Sequence, residues 1–154
     1  GTSKAAAYDC PATMQMRLCF LRAHKRTDDI LETVRKWEDI RVRGLLTAAD
    51  KEKLKDPNRE YHLVDDGKGG YDIVEWKQLD VAGGKWTPVR AFLYERNGRR
   101  VVAYWHVSGR ANLVIANGGP SLLAENMQLW ESDLSEESLR DKFLHARIVE
   151  DERR

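Results

Sequence analysis

The dipeptide Asn97-Gly98 is the sequence feature that most constrains the fold of this chain. It lies between two apolar runs, and a two-residue Asn-Gly loop selects the type I′ turn of a β-hairpin. Such a turn also fixes the pairing of the two strands, so that Val89 must lie opposite His106. The sequence therefore predicts one antiparallel hairpin in which the partner of every residue is defined.

This pairing places apolar side chains on both faces of the hairpin. One face carries Phe92 and Trp105, and the other carries Leu93 and Tyr104. A sheet with one solvated face alternates apolar and polar residues, so we expect this hairpin to be covered on both sides. Trp105 and Tyr104 are then predicted to lie in two buried layers, and His106, at the strand end, to be structural rather than catalytic.

Helical periodicity comes before the strands. A first helix is predicted from Pro11, because proline suits the first helical position and Met14, Leu18 and Leu21 repeat at helical spacing. That stripe predicts one face that packs on another surface.

A second helix is predicted to follow Thr27 and to stop at Gly44, with Trp37 packed on the sheet. A short third helix is predicted after Thr47, whose hydroxyl suits an N-cap. Strand patterns follow, and residues 122–130 are predicted to form one strand or an irregular segment.

These patterns predict an α+β protein with N-terminal helices, an antiparallel β-sheet or β-sandwich, and a short C-terminal helix. The predicted segments are a disordered or expression-derived N-terminus (residues 1–8), a helical segment (9–58), an antiparallel β domain (59–134), and a C-terminal helix with a charged tail (135–154).

Composition narrows the function classes. The chain of 154 residues has a net charge of +1, which gives no long-range attraction to nucleic acid. No apolar run approaches the roughly 20 residues that span a bilayer. Cys10 and Cys19 could in principle pair, but Cys19 falls inside a predicted helix, so two unpaired thiols are predicted. Their spacing fits no metal framework. The compartment stays open between the cytoplasm and a secreted or periplasmic location after signal removal.

No motif for catalysis or cofactor binding is present. The chain lacks a P-loop, a dinucleotide-binding fingerprint and a nucleophile elbow, and its four histidines are scattered. Asp65-Asp66-Gly67 lacks the acidic ladder of a calcium loop and is interpreted as a turn. We therefore expect no catalytic residues, no metal site and no cofactor.

Aromatic residues offer the one weak indication of a ligand. Trp76 and Trp86 flank a glycine-containing loop, and exposed tryptophans can stack on the apolar faces of sugar rings. Packing in the core is the competing interpretation. Weak candidates for carbohydrate binding are Trp76, Trp86, Tyr71 and His106.

Two long segments together resemble a known architecture. They are DDILETVRKWEDIRVRGLLTAADKEKLKDPNREYHLV and VRAFLYERNGRRVVAYWHVSGRANLVI, preceded by PATMQMRLCFLRAHKR. These segments resemble the C-terminal region of multidomain bacterial glycoside hydrolases, in which the last helices of a catalytic (β/α)8 barrel lead into a small β-sandwich. The catalytic carboxylates of such barrels lie on strands that have no counterpart here, so the resemblance implies no catalytic residue in this chain.

Three hypotheses follow. The chain is a non-catalytic accessory domain that supports a barrel or shapes a carbohydrate cleft, a stand-alone carbohydrate-binding module, or a small enzyme of unknown chemistry. The expected partner is a catalytic barrel domain or a carbohydrate ligand, with no nucleic acid and no membrane span. An exposed apolar face on the first or second predicted helix would favour the accessory domain, because that face would have lost its barrel.

Overall fold

The structure is a computed structural model that describes residues 2–151. Its elements are α1 (Thr2–Ala7), α2 (Leu18–Ala23), α3 (Thr27–Val42), α4 (Ala48–Leu54), β1 (Glu60–Asp65), β2 (Tyr71–Leu79), β3 (Val89–Arg96), β4 (Arg99–His106), β5 (Ala111–Val114), β6 (Ser121–Ala124), β7 (Gln128–Ser132), α5 (Glu136–Leu144) and β8 (Arg147–Glu150). Every strand pair among them is antiparallel. The predicted α+β class is confirmed.

The chain divides into two compact units at the middle of β2, with Trp76 ending the first and Lys77 opening the second. The sequence placed the boundary earlier, between residues 58 and 59. The difference arises because the hairpin β1–β2 packs on a helix of the first unit. Trp37 of α3 shares a buried cluster with Tyr61 and Leu63 of β1, as predicted for the packing of Trp37 on a strand.

Local signals position the elements of the first unit. Thr47 accepts a hydrogen bond from the Asp50 amide, and the Asp50 carboxylate accepts one from the Thr47 amide, which together form a capping box. Helix α3 ends before Gly44, which adopts a left-handed conformation with φ of 63°. In the β1–β2 loop, Asp66 accepts hydrogen bonds from the Lys68 and Gly70 amides, so this loop is the predicted turn.

The second unit is organised around the β3–β4 hairpin. Its turn is Asn97-Gly98, with φ of 53° and 74°, and its register runs from Val89 opposite His106 to Arg96 opposite Arg99, as predicted. β7 pairs with β4, and the last three residues of β2 pair with β3. A second sheet has the strand order β6-β5-β8.

One core fills the space between these sheets and α5. The largest fully buried side chains in it are Phe143, Leu139, Leu113, Val89 and Val102. Tyr104 also belongs to this core, and burial raises the pKa of its phenol. The inner face of the hairpin is therefore the face that carries Leu93 and Tyr104, in agreement with the pairing predicted from the sequence.

The N-terminus differs from the prediction. The sequence predicts a disordered or expression-derived N-terminus over residues 1–8, whereas Thr2–Ala7 form α1, in which Ala6 and Ala7 are buried. Lys4 donates hydrogen bonds to the carbonyls of Leu54 and Asp56, which ties α1 to the end of α4. Small alanine side chains let α1 pack closely, a contact that has no periodic signature in so short a segment. Gly1 lies outside the described residues.

The first predicted helix begins later than expected. Pro11 does not start it, and α2 begins only at Leu18. The segment after Pro11 is attached to α3 by the Ala12 amide, which donates a hydrogen bond to the Glu38 carboxylate at 2.9 Å. An isolated helix of this length is marginal in water, so the apolar stripe needs a surface to pack on. Helix α2 buries none of its side chains, which explains why the helix is short.

The C-terminal region also departs from the predicted pattern. Residues 122–130 contribute to two strands, β6 and β7, which belong to different sheets. The predicted C-terminal helix is confirmed as α5, which ends at Leu144, and Arg147–Glu150 form β8, which pairs with β5. The predicted charged tail, EDERR, begins at the last residue of β8. Residues 152–154 lie outside the described residues.

Candidate functional site

His106 is a buried structural element of the β4–β5 turn. Its Nδ1 accepts hydrogen bonds from the Ser108 amide at 3.2 Å and from the Gly109 amide at 2.7 Å. This fixes the proton on Nε2, which lies 3.5 Å from Oε2 of Glu150. Both ring nitrogens therefore face protein groups, and the buried ring is not positioned to stack on a carbohydrate.

Trp105 lies on the outer face of the same strand and is half-buried, contrary to the prediction that it fills a core. Its indole stacks on Phe92, with ring centroids 5.5 Å apart and planes 11° from parallel. Leu129, its neighbour on β7 of this face, is exposed. The outer face is therefore only partly open, since Tyr94, Val101 and Ala103 on the same face are buried.

Trp76 is buried in the first unit. The indole stacks on the imidazole of His62, with centroids 3.5 Å apart and planes 14° from parallel. Burial lowers the pKa of His62 to about 4, so this ring is neutral at physiological pH. The pair fills the β1–β2 hairpin and does not present Trp76 to a ligand.

Tyr71 takes part in a surface network rather than a binding site. Its hydroxyl donates a 2.6 Å hydrogen bond to the Asp39 carboxylate, which raises the pKa of Tyr71 and lowers that of Asp39. Asp39 also pairs with Arg43 at 3.1 Å. Arg43 in turn donates to the carbonyl of Gly69, so the network joins α3 to the β1–β2 loop.

Trp86 is the one weak candidate that is open to solvent, with 94% of its surface exposed. It lies on the loop between β2 and β3, in the second unit. The four candidates therefore do not share one kind of environment. Two are buried, one forms a network, and one is exposed.

A larger feature lies at the N-terminal end, where residues 13–20 are all exposed. The large apolar side chains exposed there and at the start of α3 are Met14, Met16, Leu18, Phe20, Ile30 and Leu31, which we call the N-terminal apolar surface. Leu18 and Phe20 are 59% and 61% exposed. The sequence signalled this stripe through its helical spacing, but it could not tell whether the stripe faces this chain or another surface.

Positive charge accompanies the N-terminal apolar surface. Arg17, Arg22 and Lys25 are exposed within it or beside it, and no carboxylate occurs between residues 10 and 27. Acidic residues return at Asp28 and Asp29, in the first turn of α3, where they complement the helix dipole. Cations thus accompany the part of this surface on residues 14–20, whereas the part at Ile30 and Leu31 lies beside the exposed Asp28 and Glu32.

Cys10 and Cys19 are both exposed and unpaired, as predicted. Cys19 lies in α2, between Leu18 and Phe20, so its thiol reports directly on the N-terminal apolar surface. Within residues 2–151, no group of three histidine, cysteine or acidic side chains is placed to hold a metal ion. No helix of that range is long and apolar enough to cross a bilayer.

A shallow groove of about 610 Å³ lies beside the end of α5. Asp141, His145 and Arg147 are among the residues that line it, and His145 Nδ1 lies 3.2 Å from the Asp141 carboxylate. The lining contains no serine, threonine or cysteine that this pair could activate. The groove therefore does not assemble a nucleophilic site.

Comparison of the chain with protein-family models, with curated proteins and with solved structures finds no match.

Proposed function

We propose that this chain is a non-catalytic supporting domain of a glycoside-hydrolase-like protein and that it packs on a catalytic barrel through the N-terminal apolar surface. The observation that carries the proposal is α2, a helix of sequence LCFLRA that buries none of its side chains. The glycosidase context comes from the resemblance of residues 28–64 and 89–115, and of the helical segment before them, to the region that follows such barrels.

The energetic argument favours a covered surface. Full burial of a leucine, isoleucine, phenylalanine or methionine side chain contributes about 1.5–3 kcal/mol relative to exposure. Six such side chains lie between residues 14 and 31, each with a substantial part of its area still in water. Soluble monomers rarely leave apolar groups this concentrated without a partner. The same burial would supply the packing that α2 lacks.

The charges indicate what the partner carries. Arg17, Arg22 and Lys25 are exposed in the same stretch of chain as Leu18 and Phe20, so a matching surface has an apolar groove with carboxylates at its rim. A supporting role also agrees with the candidate site residues. His106 and Trp76 are buried, and Tyr71 is engaged with Asp39, which leaves no constellation for catalysis among them.

Cys19 provides the test. We would treat the native polypeptide from its source cells and the isolated 154-residue chain with N-ethylmaleimide, and quantify modification of Cys19 by peptide mass spectrometry. Denatured samples of both proteins define complete modification. The proposal expects rapid labelling in the isolated chain, at least tenfold slower labelling in the native polypeptide, and an intact native mass well above 17.7 kDa. Equal labelling rates and a native mass near that of the chain would refute it.

A measurement of glycosidase activity tests the glycosidase context separately from the packing on a partner. The native polypeptide should hydrolyse at least one of a set of aryl glycosides, whereas the isolated chain should hydrolyse none. Protection of Cys19 in a native polypeptide without glycosidase activity would keep the packing role and refute the glycosidase context.

A further inference from the structure

We propose that this chain pairs with a second copy of itself along the free edge of β8, so that the three-stranded sheets of two protomers join into one sheet. Among the described residues, β8 is the last strand of the sheet β6-β5-β8 and pairs only with β5. Three of its four residues are exposed. A strand at a sheet edge presents backbone amides and carbonyls to any strand that can align with them.

The hydrogen bonds beside β8 identify which backbone groups lie at this edge. The Asp151 amide donates to the Arg110 carbonyl at 3.2 Å, so these two residues form a hydrogen-bonded pair. Such pairs alternate along an antiparallel ladder. Val149 therefore also bonds to β5, whereas Ile148 and Glu150 direct their amides and carbonyls away from it.

The other side of β5 shows the same alternation. The Ile115 amide donates to the Pro120 carbonyl at 3.0 Å, at the start of the pairing with β6. By the same rule, the odd-numbered residues of β5 bond to β6 and the even-numbered residues bond to β8. The free edge of β8 is thus defined by two independent hydrogen bonds.

Two copies of β8 can align their free groups in one symmetric register. Ile148 of each copy forms a hydrogen-bonded pair with Glu150 of the second copy, and a two-fold axis passes between the two Val149 residues. A shift by two residues in one direction would place Glu150 opposite Glu150, where like charges repel. A shift in the other direction would need the Ala146 amide, which already donates to the Phe143 carbonyl at 3.2 Å.

The side chains of β8 suit this register. Val149 is 46% exposed and meets its counterpart at a non-hydrogen-bonded position, where facing side chains are closest. Arg147 lies opposite Asp151 of the second copy, so a cation meets a carboxylate at both ends of the paired segment. The Asp151 carboxylate already pairs with Arg110 at 3.2 Å, and Arg147 would extend that pair. An identical strand therefore matches β8 in hydrogen bonding, apolar contact and charge.

This inference goes beyond the proposed supporting role and does not rest on it. The N-terminal apolar surface belongs to the first unit, whereas β8 belongs to the second. Association of the 154-residue chain could arise from either surface, so the experiment must separate them.

Disulfide cross-linking tests the register. Val149→Cys and Arg147→Cys are introduced separately into a Cys10→Ser/Cys19→Ser background, and each protein is equilibrated with oxidised glutathione. Facing Val149 residues would have Cα atoms about 4.5 Å apart, within reach of a disulfide. The two Arg147 residues, which are exposed on the same face, would lie four positions or about 13 Å apart and out of reach. We expect a disulfide-linked dimer of Val149→Cys and at least about tenfold less dimer of Arg147→Cys, measured by intact mass.

Sedimentation equilibrium measures the association without a cross-link. We expect the parent 154-residue chain to shift from monomer toward dimer between about 10 µM and 1 mM, the range of a small interface. Val149→Lys should weaken the dimer at least about tenfold, because two ammonium groups would meet at the two-fold axis. Leu18→Ser/Phe20→Ser should leave the association unchanged, since β8 and not the N-terminal apolar surface forms the contact. Unchanged circular dichroism of each variant shows that the fold is retained.

The proposal is overturned if the parent chain stays monomeric up to about 1 mM, whether or not an unrelated extended peptide binds the same edge. It is also overturned if Val149→Cys and Arg147→Cys form equal amounts of dimer, or if Val149→Lys associates as tightly as the parent. Loss of the association in Leu18→Ser/Phe20→Ser would assign the contact to the N-terminal apolar surface and would likewise overturn it.

Discussion

Acidification should destabilise the first unit through one residue, His62. The folded state holds the imidazole neutral because burial lowers its pKa to about 4, against an ordinary value of 6.5. Between these two values the unfolded chain binds more protons than the folded chain, so stability falls as the pH falls. The unfolding free energy therefore keeps its full value with respect to His62 above about pH 6.5. It falls progressively as the pH is lowered to about pH 4.

The magnitude follows from the same two values. A gap of roughly 2.5 pH units, at about 1.36 kcal/mol per unit, gives an upper bound of about 3 kcal/mol at low pH. At pH 5 about 2 kcal/mol of this is already lost. An imidazolium stacked on Trp76 gains a cation–π attraction of about 0.5–2 kcal/mol, but the folded imidazole is still mostly neutral at pH 5, so this attraction offsets only part of the loss. We therefore expect a net loss of about 1–2 kcal/mol between pH 7.5 and pH 5.

The assay is urea unfolding at pH 7.5 and pH 5.0, for the parent chain and for His62→Phe. Phenylalanine retains an aromatic ring against Trp76 but does not titrate, so the variant should lose at least 1 kcal/mol less than the parent. Carboxylates with lowered pKa, such as Asp39 and Asp66, lose their stabilisation as the pH falls below their ordinary pKa of 3.8, and they contribute equally to both proteins. Equal losses in the two proteins, or an NMR titration that places the His62 pKa above 6, would refute the reasoning.

Three further predictions concern stability and are checked by chemical denaturation. Phe143→Ala should cost about 3–5 kcal/mol, because the ring is fully buried between α5 and the sheets, and a loss below 1 kcal/mol would contradict that placement. Gly119→Ala should destabilise by about 1–3 kcal/mol, since the added Cβ would lie 2.6 Å from Cγ2 of Ile115, and a neutral result would show that this turn can shift. The double variant Leu18→Ser/Phe20→Ser should change the unfolding free energy by no more than about 0.5 kcal/mol per site, since both side chains are exposed; a larger loss would mean that this chain buries them.

Short-range signals in the sequence decided much of the fold. Asn97-Gly98 determined the register of the β3–β4 hairpin residue by residue, because a type I′ turn permits a single pairing of the flanking strands. Thr47 with Asp50 determined the start of α4 through reciprocal hydrogen bonds between neighbours in the chain. Side chains alternate between the two faces of a strand, so the known register also placed Tyr104 on the same face as Leu93, which is the inner face.

Tertiary packing decided the rest. The stripe of Met14, Leu18 and Leu21 predicts an apolar face but does not say what covers it, and the structure leaves Met14 and Leu18 exposed with only a short helix between residues 18 and 23. Trp76 and Trp86 are the same residue type, one in β2 and the other in the loop that follows it. One stacks on His62 inside a hairpin and the other is open to water.

The physical reason is the range of the interactions. Turn chemistry and helix caps involve atoms a few residues apart, so the sequence specifies them directly. Burial depends on which distant segments meet, as when β8 returns after α5 to pair with β5. For this protein the sequence therefore determined the hairpin and the caps, whereas the tertiary structure decided that Trp86 is exposed, that His106 is enclosed, and that α2 presents an uncovered apolar surface.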